Sequence, residues 1–292
     1  MIANIKKSKP GTSNLETSNL KPDDQSVQWL VVTDLDGTLL NHHTYDTGKT
    51  VNTIAGLHKK NIPVILNTSK TYAETLSIRS QLNITDPFIV ENGSALYIPR
   101  TAFEQPKEAI SRDDYWEIVL GSRKQAIDNV LEKIPGLDQQ AIRLSQCSIK
   151  QAIQLTNLKQ EQAAQAIARE FSEPLIWQSS PESLSNFQEK LANYGLSTIQ
   201  GGRFLHVTGE CDKGTAIHCL SRLYKPIVKT IVLGDSANDA SMLAQATISI
   251  IVKSPSNSQL EKLITPTFYS QHPAPQGWCE AVEESLMRLK IN

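Results

Sequence analysis

Residues 29–33, WLVVT, form an apolar run that stops at two aspartates, and beyond it the hydrophobic positions change period. Val51, Ile54, Leu57 and His58 recur at helical spacing through 50–60, where Lys59, Lys60 and Asn61 close the helix. A second apolar run at 62–67 predicts a strand, 71–82 a helix, and 88–90 a short strand ahead of the turn Glu91–Asn92–Gly93. This is β-α-β-α-β, the signature of a parallel sheet with right-handed crossovers.

The same rhythm returns near the other end, with a helix at 213–223, a strand at 230–233, a helix at 239–245 and a strand at 248–252. Between them, over about 98–203, the pattern shifts to a short strand at 116–120 and amphipathic helices at 123–133, 149–157, 161–171 and 183–194. The chain is therefore expected to build one α/β core from 28–97 and 205–292. Residues 98–204 form an inserted α+β unit of ordinary domain size. Residues 1–27 are polar, lack the apolar stretch of a secretory signal, and read as a flexible tail.

Composition narrows the function. Twenty-nine Lys and Arg nearly cancel thirty Asp and Glu, which disfavours nucleic acid or an anionic membrane as a partner. No apolar run approaches the roughly 20 residues of a membrane span. Cys147, Cys211, Cys219 and Cys279 are scattered without metal-site spacing, as expected of reduced thiols in a cytoplasmic protein.

The chemistry lies where the predicted strands end, the place where open parallel sheets bind ligands. Asp34 and Asp36 follow the first strand, Thr68 and Ser69 the second, and Asp235 the run IVLG; Asp239 comes four residues later, and Lys213 opens a helix. Carboxylates this close destabilise one another unless a cation or a proton holds them. Together with a hydroxyl and a lysine they suit Mg²⁺ and a phosphate. By residue type, Asp34 can attack phosphorus and Asp36 can serve as acid and then base. Lys213 would neutralise phosphoryl oxygens, and Thr68 would offer its hydroxyl and backbone N–H.

Plainer readings exist for each group. Asp-x-Asp also occurs as a turn, a helix cap or the metal pair of nucleotide-sugar transferases. Gly37 and Thr38 make DLDGT more specific, since glycine allows a tight turn there. Asp235 and Asp239 also suit helix capping, and an isolated Lys213 would be a surface lysine. His42 and His43 read as loop residues, and His206 and His218 as structural.

DLDGT, NTSK, DKG and GDSANDASM, in that order, resemble the four motifs of the haloacid dehalogenase superfamily of phosphohydrolases. The insertion between the second and third motifs resembles its α/β-capped subclass. More narrowly, VTDLDGTLL, DPFIVENGSALYIP, GGRFLHVTGECDKGTA, AIAREFSEPLIW and APQGWCEAV are similar to the mannosyl-3-phosphoglycerate phosphatase family. Thr68–Ser69–Lys70 stands where the wider subclass usually has TGR.

The resemblance implies a Rossmann-like core with an α+β cap. It makes Asp34 the nucleophile, Asp36 the acid/base, and Thr68 and Lys213 phosphate binders. Asp34, Asp235 and the carbonyl of Asp36 would hold magnesium, with Asn238 and Asp239 ordering the metal's surroundings and Asp239 acting through water. The implied substrate is a 2-O-mannosyl- or 2-O-glucosyl-3-phosphoglycerate, cleaved to phosphate and a compatible solute and supplied by a glycosyl-3-phosphoglycerate synthase. Arg169, Glu170, Glu173 and Arg203 are the candidates for substrate contact from the cap, with ordinary surface ion pairing as the alternative. Ser69, Lys70 and Asn92 border the same place. A sucrose-phosphate phosphatase, a phosphomutase or a catalytically silent binding module would share these features.

Overall fold

The computed structural model describes residues 29–42, 44–201, 204–224 and 228–290. The tail expected at 1–27, and the candidates His43 and Arg203, lie outside these residues. Two sheets organise the rest. The larger contains β1 (Trp29–Thr33), β2 (Val64–Asn67), β3 (Phe88–Val90), β4 (Ala95–Pro99), β5 (Ile110–Arg112) and β6 (Tyr115–Val119). The smaller contains β7 (Ala141–Arg143), β8 (Ser172–Trp177), β9 (Leu196–Gln200) and β10 (Leu205–Gly209). The chain then returns to the larger sheet as β11 (Lys229–Gly234), β12 (Ile248–Lys253) and β13 (Phe268–Pro273).

The larger sheet is nine-stranded, in the order β13-β12-β11-β1-β2-β3-β4-β6-β5. From β13 to β3 neighbours are parallel; β3–β4, β4–β6 and β6–β5 are antiparallel. Apolar runs such as LVV in β1 are unbroken because the sheet is covered on both faces. Val31, Leu66 and Ile231 face Ile54, Leu57 and Trp278 on one side, while Leu30, Val32 and Ile65 face Ala216, Leu220 and Met242 on the other. Among the described residues no helix is long and apolar enough to cross a membrane.

The smaller sheet is antiparallel in the order β7-β8-β10-β9. The helices Lys124–Leu131 and Pro181–Ala192 bury Ile127, Leu131, Phe187 and Leu191 on one of its faces. A second helix pair, Ile149–Thr156 and Gln160–Ile167, packs around Leu144, Ala152 and Ala163. The latter helix meets the core helix Tyr72–Leu82, and Thr71 Oγ1 donates to Gln165 O at 3.0 Å.

The expected divisions at 97/98 and 204/205 do not coincide with the sheets. After β3 the chain reverses through Glu91, Asn92 and Gly93, at φ of 48°, 59° and 95°. It then pairs back on β3 as β4, so residues up to Val119 stay in the large sheet. At the other boundary, Leu205 and Val207 bury into the cap core, which places β10 in the small sheet. The single helix expected over 161–171 also ends early, at Ile167. The N–H groups of Glu170 and Phe171 donate to the Glu91 carboxylate, at 2.9 and 3.2 Å, rather than to helix carbonyls.

Glu91 is thus the joint between the two units. It is 1% exposed, accepts also from Ser172 Oγ at 2.6 Å, and lies 3.7 Å from Arg169 Nη1. Replacing Glu91 by Ala strands two N–H groups and a buried guanidinium, a loss of about 3 kcal/mol in a urea unfolding titration. Glu91→Gln, which keeps one acceptor oxygen, should lose less.

Candidate active site

The site starts at the carboxyl end of β1. Asp34 N donates to Leu233 O at 3.1 Å, continuing the parallel ladder by one residue and fixing where its side chain emerges. Gly37 sits at φ +79°, and a Cβ there would stand 2.5 Å from Asp235 Oδ2. Glycine is therefore required by the turn and by the carboxylate beside it. Thr38 Oγ1 donates to Asp235 Oδ1 at 3.1 Å, joining the first and fourth motifs.

Lys213 opens the helix Lys213–Ser221, whose N-cap Asp212 accepts from Thr215 N at 2.7 Å. Its ammonium is fully buried and lies 2.7 Å from both Asp34 Oδ1 and Asp239 Oδ1. The other oxygen of Asp239 accepts from Asp235 N and Ser236 N, at 2.9 and 3.0 Å. Both oxygens of Asp239 are thereby occupied in holding the lysine and the loop. Asn67 Nδ2 donates to Lys213 O at 3.0 Å, fixing the start of that helix against β2. Gly93 allows the close approach on the other side, since a Cβ there would meet Asp212 O at 2.1 Å.

One oxygen each of Asp34, Asp235 and Asp239 falls within a sphere of mutual separation of 4.8 Å. Burial, reinforced by Asp239 and Asp36 and opposed by Lys213, pushes the Asp34 carboxyl up to about 7. Asp235 is raised for the same reasons, burial first and then the Asp239 and Asp34 carboxylates. Burial acting on Lys213 is outweighed by Asp239 and Asp34, which hold it protonated. Three buried carboxylates facing one ammonium leave negative charge uncompensated, and all the donors are oxygen. That set fits a hard divalent cation such as Mg²⁺.

Above this floor lies a cavity of about 510 Å³, bounded by both sheets. Asp34, Asp36, Ser69, Lys70, Asp235 and Asn238 line it from the core, and Arg169 from the cap. Lys70 Nζ pairs with Asp36 Oδ2 at 2.8 Å and lies over the Tyr45 ring at 4.9 Å, while Asp36 Oδ1 is buried with no hydrogen-bond partner. Asn238 Nδ2 donates to Asn92 Oδ1 at 3.0 Å, so Asn92 supports the site from behind. Arg169 Nη1 donates to Ser69 O and to Ser172 Oγ, both at 3.0 Å, tying the cap to the second motif.

Several expectations change. Thr68 is buried, but its backbone N–H, expected to face a phosphoryl group, donates to Ile89 O at 3.1 Å. Its hydroxyl accepts from Lys70 N at 3.2 Å and keeps its own proton to donate. Glu170 does not line the cavity: Arg112 clamps it with two bonds of 2.5 and 2.6 Å. Glu173 is fully buried inside the cap, accepting from Ser145 N at 3.0 Å and Lys124 at 2.7 Å. In both cases a cation from another element satisfies the acid before any ligand can.

Tyr45, Phe204 and His206 line the cavity although the sequence did not single them out for it. For His206 a signal existed. Leu205 and Val207 flank it in strand alternation, so it had to face away from the cap core.

A sheet whose parallel strands carry this acid cluster at their ends, with a separate unit inserted after β6, fits the haloacid dehalogenase-like hydrolases. The chain belongs to that family, whose profile matches residues 31–263. Among individual proteins, a glucosyl-3-phosphoglycerate/mannosyl-3-phosphoglycerate phosphatase of Persephonella marina is 32% identical over 268 residues, spanning 89% of this chain and 98% of its own. A protein of the same description from Methanococcoides burtonii is 32% identical over 273 residues, with coverage of 88% and 97%. The fold is similar to that of a phosphatase of this superfamily from Bacteroides thetaiotaomicron, with a TM-score of 0.64, 17% identity, and coverage of 94% of this chain and 100% of that one. It is also similar to a Thermotoga maritima structure, with a TM-score of 0.61, 19% identity, and coverage of 88% and 97%.

Replacing Lys213 by Met leaves Asp34 and Asp239 buried without their cation, at a cost of roughly 3–5 kcal/mol. Asp34→Asn in the same chain should return part of that loss, read as a coupling energy in a double-mutant cycle of urea midpoints.

Proposed function

We propose that the protein is a magnesium-dependent phosphatase acting on 2-O-glucosyl- or 2-O-mannosyl-3-phosphoglycerate. The observation that carries the reading is the pair of carboxylates at the end of β1 in two different settings. Asp34 is buried against Lys213, and Asp36 borders the cavity against Lys70. The full-length similarity to two phosphatases of that description supports the substrate class.

The chain's own groups divide the reaction between them. A carboxylate oxygen of Asp34 attacks phosphorus, and the bond from phosphorus to the glycerate oxygen breaks as the aspartyl-phosphate forms. Asp36, protonated, gives its proton to the departing oxygen; ionised again, it takes a proton from the water that hydrolyses the acyl phosphate. Lys213 holds Asp34 in position and neutralises charge on the phosphoryl oxygens, and Thr68 donates its hydroxyl to the same group. Asp34, Asp235 and the carbonyl of Asp36 would hold Mg²⁺, with Asp239 and Asn238 ordering the loop around it. When bound, the ion supplies positive charge to the phosphoryl oxygens and to the carboxylates.

A glycerate carboxylate needs a cation beside the reacting phosphorus, and Arg169 and Lys70 border the cavity next to the second motif. Arg169 Nε is buried without a partner, so this guanidinium retains bonding capacity. A cytoplasmic setting next to a synthase that makes the glycosyl-phosphoglycerate belongs to the same reading.

Phosphate release with and without Mg²⁺ from both glycosyl-phosphoglycerates, sucrose 6-phosphate and hexose phosphates tests it. The expected result is a metal requirement and a higher kcat/KM for the glycosyl-phosphoglycerates; preference for another phosphate would withdraw the substrate. Asp34→Asn should lower kcat roughly a thousandfold or more. An Asp34→Asn enzyme as active as the parent would remove the nucleophile.

A further inference from the structure

The cap wall of the cavity is chemically unlike its floor. Leu144, Pro174 and Phe204 line it with apolar surface, and His206 stands among them. The pleat of β10 sends Leu205 and Val207 into the cap core with Leu175 and Phe187, and so turns the imidazole to the opposite face. The ring is 6% exposed, and its Nδ1 is buried with no hydrogen-bond partner. Gly201 keeps its other nitrogen clear: a Cβ there would stand 3.0 Å from Nε2. The Phe204 ring lies 6.5 Å away, roughly edge-on to the imidazole.

Burial first, and the nearby Arg169 guanidinium second, hold this imidazole well below the ordinary histidine range. It is neutral at pH 7, with one donor and one acceptor to offer. A buried ring nitrogen left without a partner costs stability, and such groups are retained where a ligand completes them. A role in proton transfer would require the charged imidazole, which Arg169 opposes.

We propose that His206 and the apolar surfaces of Phe204 and Pro174 form the sugar-binding subsite. The imidazole exchanges hydrogen bonds with a glycosyl hydroxyl, and the apolar wall covers the aliphatic face of the pyranose. The identity of the sugar phosphate rests on the function proposed above; the subsite itself rests on the cavity. The pairing of groups supports it. Arg169 is bound to Ser69 beside the catalytic floor and is close enough to His206 to act on its charge. Cation and imidazole thus stand as neighbours on the cap side of the cavity whose floor holds Asp34. A 2-O-glycosyl-3-phosphoglycerate carries its phosphoryl group on C3 and both the sugar and the carboxylate at C2, so a cation and a neutral polar group side by side suit the two branches.

The test compares His206→Ala and His206→Gln with the parent enzyme, all with Mg²⁺. The substrates are glucosyl- and mannosyl-3-phosphoglycerate, hexose phosphates, and the sugar-free 3-phosphoglycerate and p-nitrophenyl phosphate. His206→Ala should lower kcat/KM for the glycosylated substrates roughly 10- to 100-fold, mostly through KM, and change the sugar-free ones less than about twofold. His206→Gln, which keeps a donor and an acceptor, should recover part of the loss. Equal losses on every substrate, or none on the glycosylated ones, overturn the subsite. If the parent prefers a different sugar phosphate, the substrate reading falls and the same ratio taken on that compound decides His206. If the parent ignores the sugar, both fall.

Discussion

Everything at the active site depends on one buried ammonium. Lys213 lies between Asp34 and Asp239 with no access to water, and those contacts place the start of its helix, the end of β1 and the loop after β11 in one frame. Unpaired, each ion would cost several kcal/mol to bury. Paired, they still leave a surplus of negative charge, because Asp235 joins the cluster and, among the described residues, brings no cation of its own. The fold is therefore built with a surplus of negative charge that suits a divalent cation. The glycines at 37 and 93 let backbone and carboxylate come close enough for this to happen.

The parallel core was legible because burial on both faces writes unbroken apolar runs into the sequence, and because the functional groups follow those runs in a fixed order. The cap was harder to read. β4, β5 and β6 are short and pair antiparallel on an existing edge, so nothing in their local pattern assigns them to one sheet or the other. The helix expected through Phe171 ends early because a carboxylate about eighty positions away captures its N–H groups.

The same limit separates Arg169 from Glu170. Adjacent charges in one amphipathic stretch look alike in sequence, yet one borders the cavity and the other is clamped by Arg112 on β5. Partner choice is a tertiary property. His206 shows the converse, since its alternation with Leu205 and Val207 was visible and needed only the knowledge that those residues form a strand.

The division of the cavity between two sheets has a consequence for how such a protein can change over time. The acid cluster stands on the large sheet, and the apolar wall across the cavity stands on a separately packed insertion with its own core. Drift in the insertion can therefore redirect the enzyme to new compounds while the chemistry is inherited intact. The freedom is not complete. Arg169 reaches across to the carbonyl of Ser69, and Glu91 reaches back, so any replacement lid must reproduce those two handshakes before it can try a new substrate.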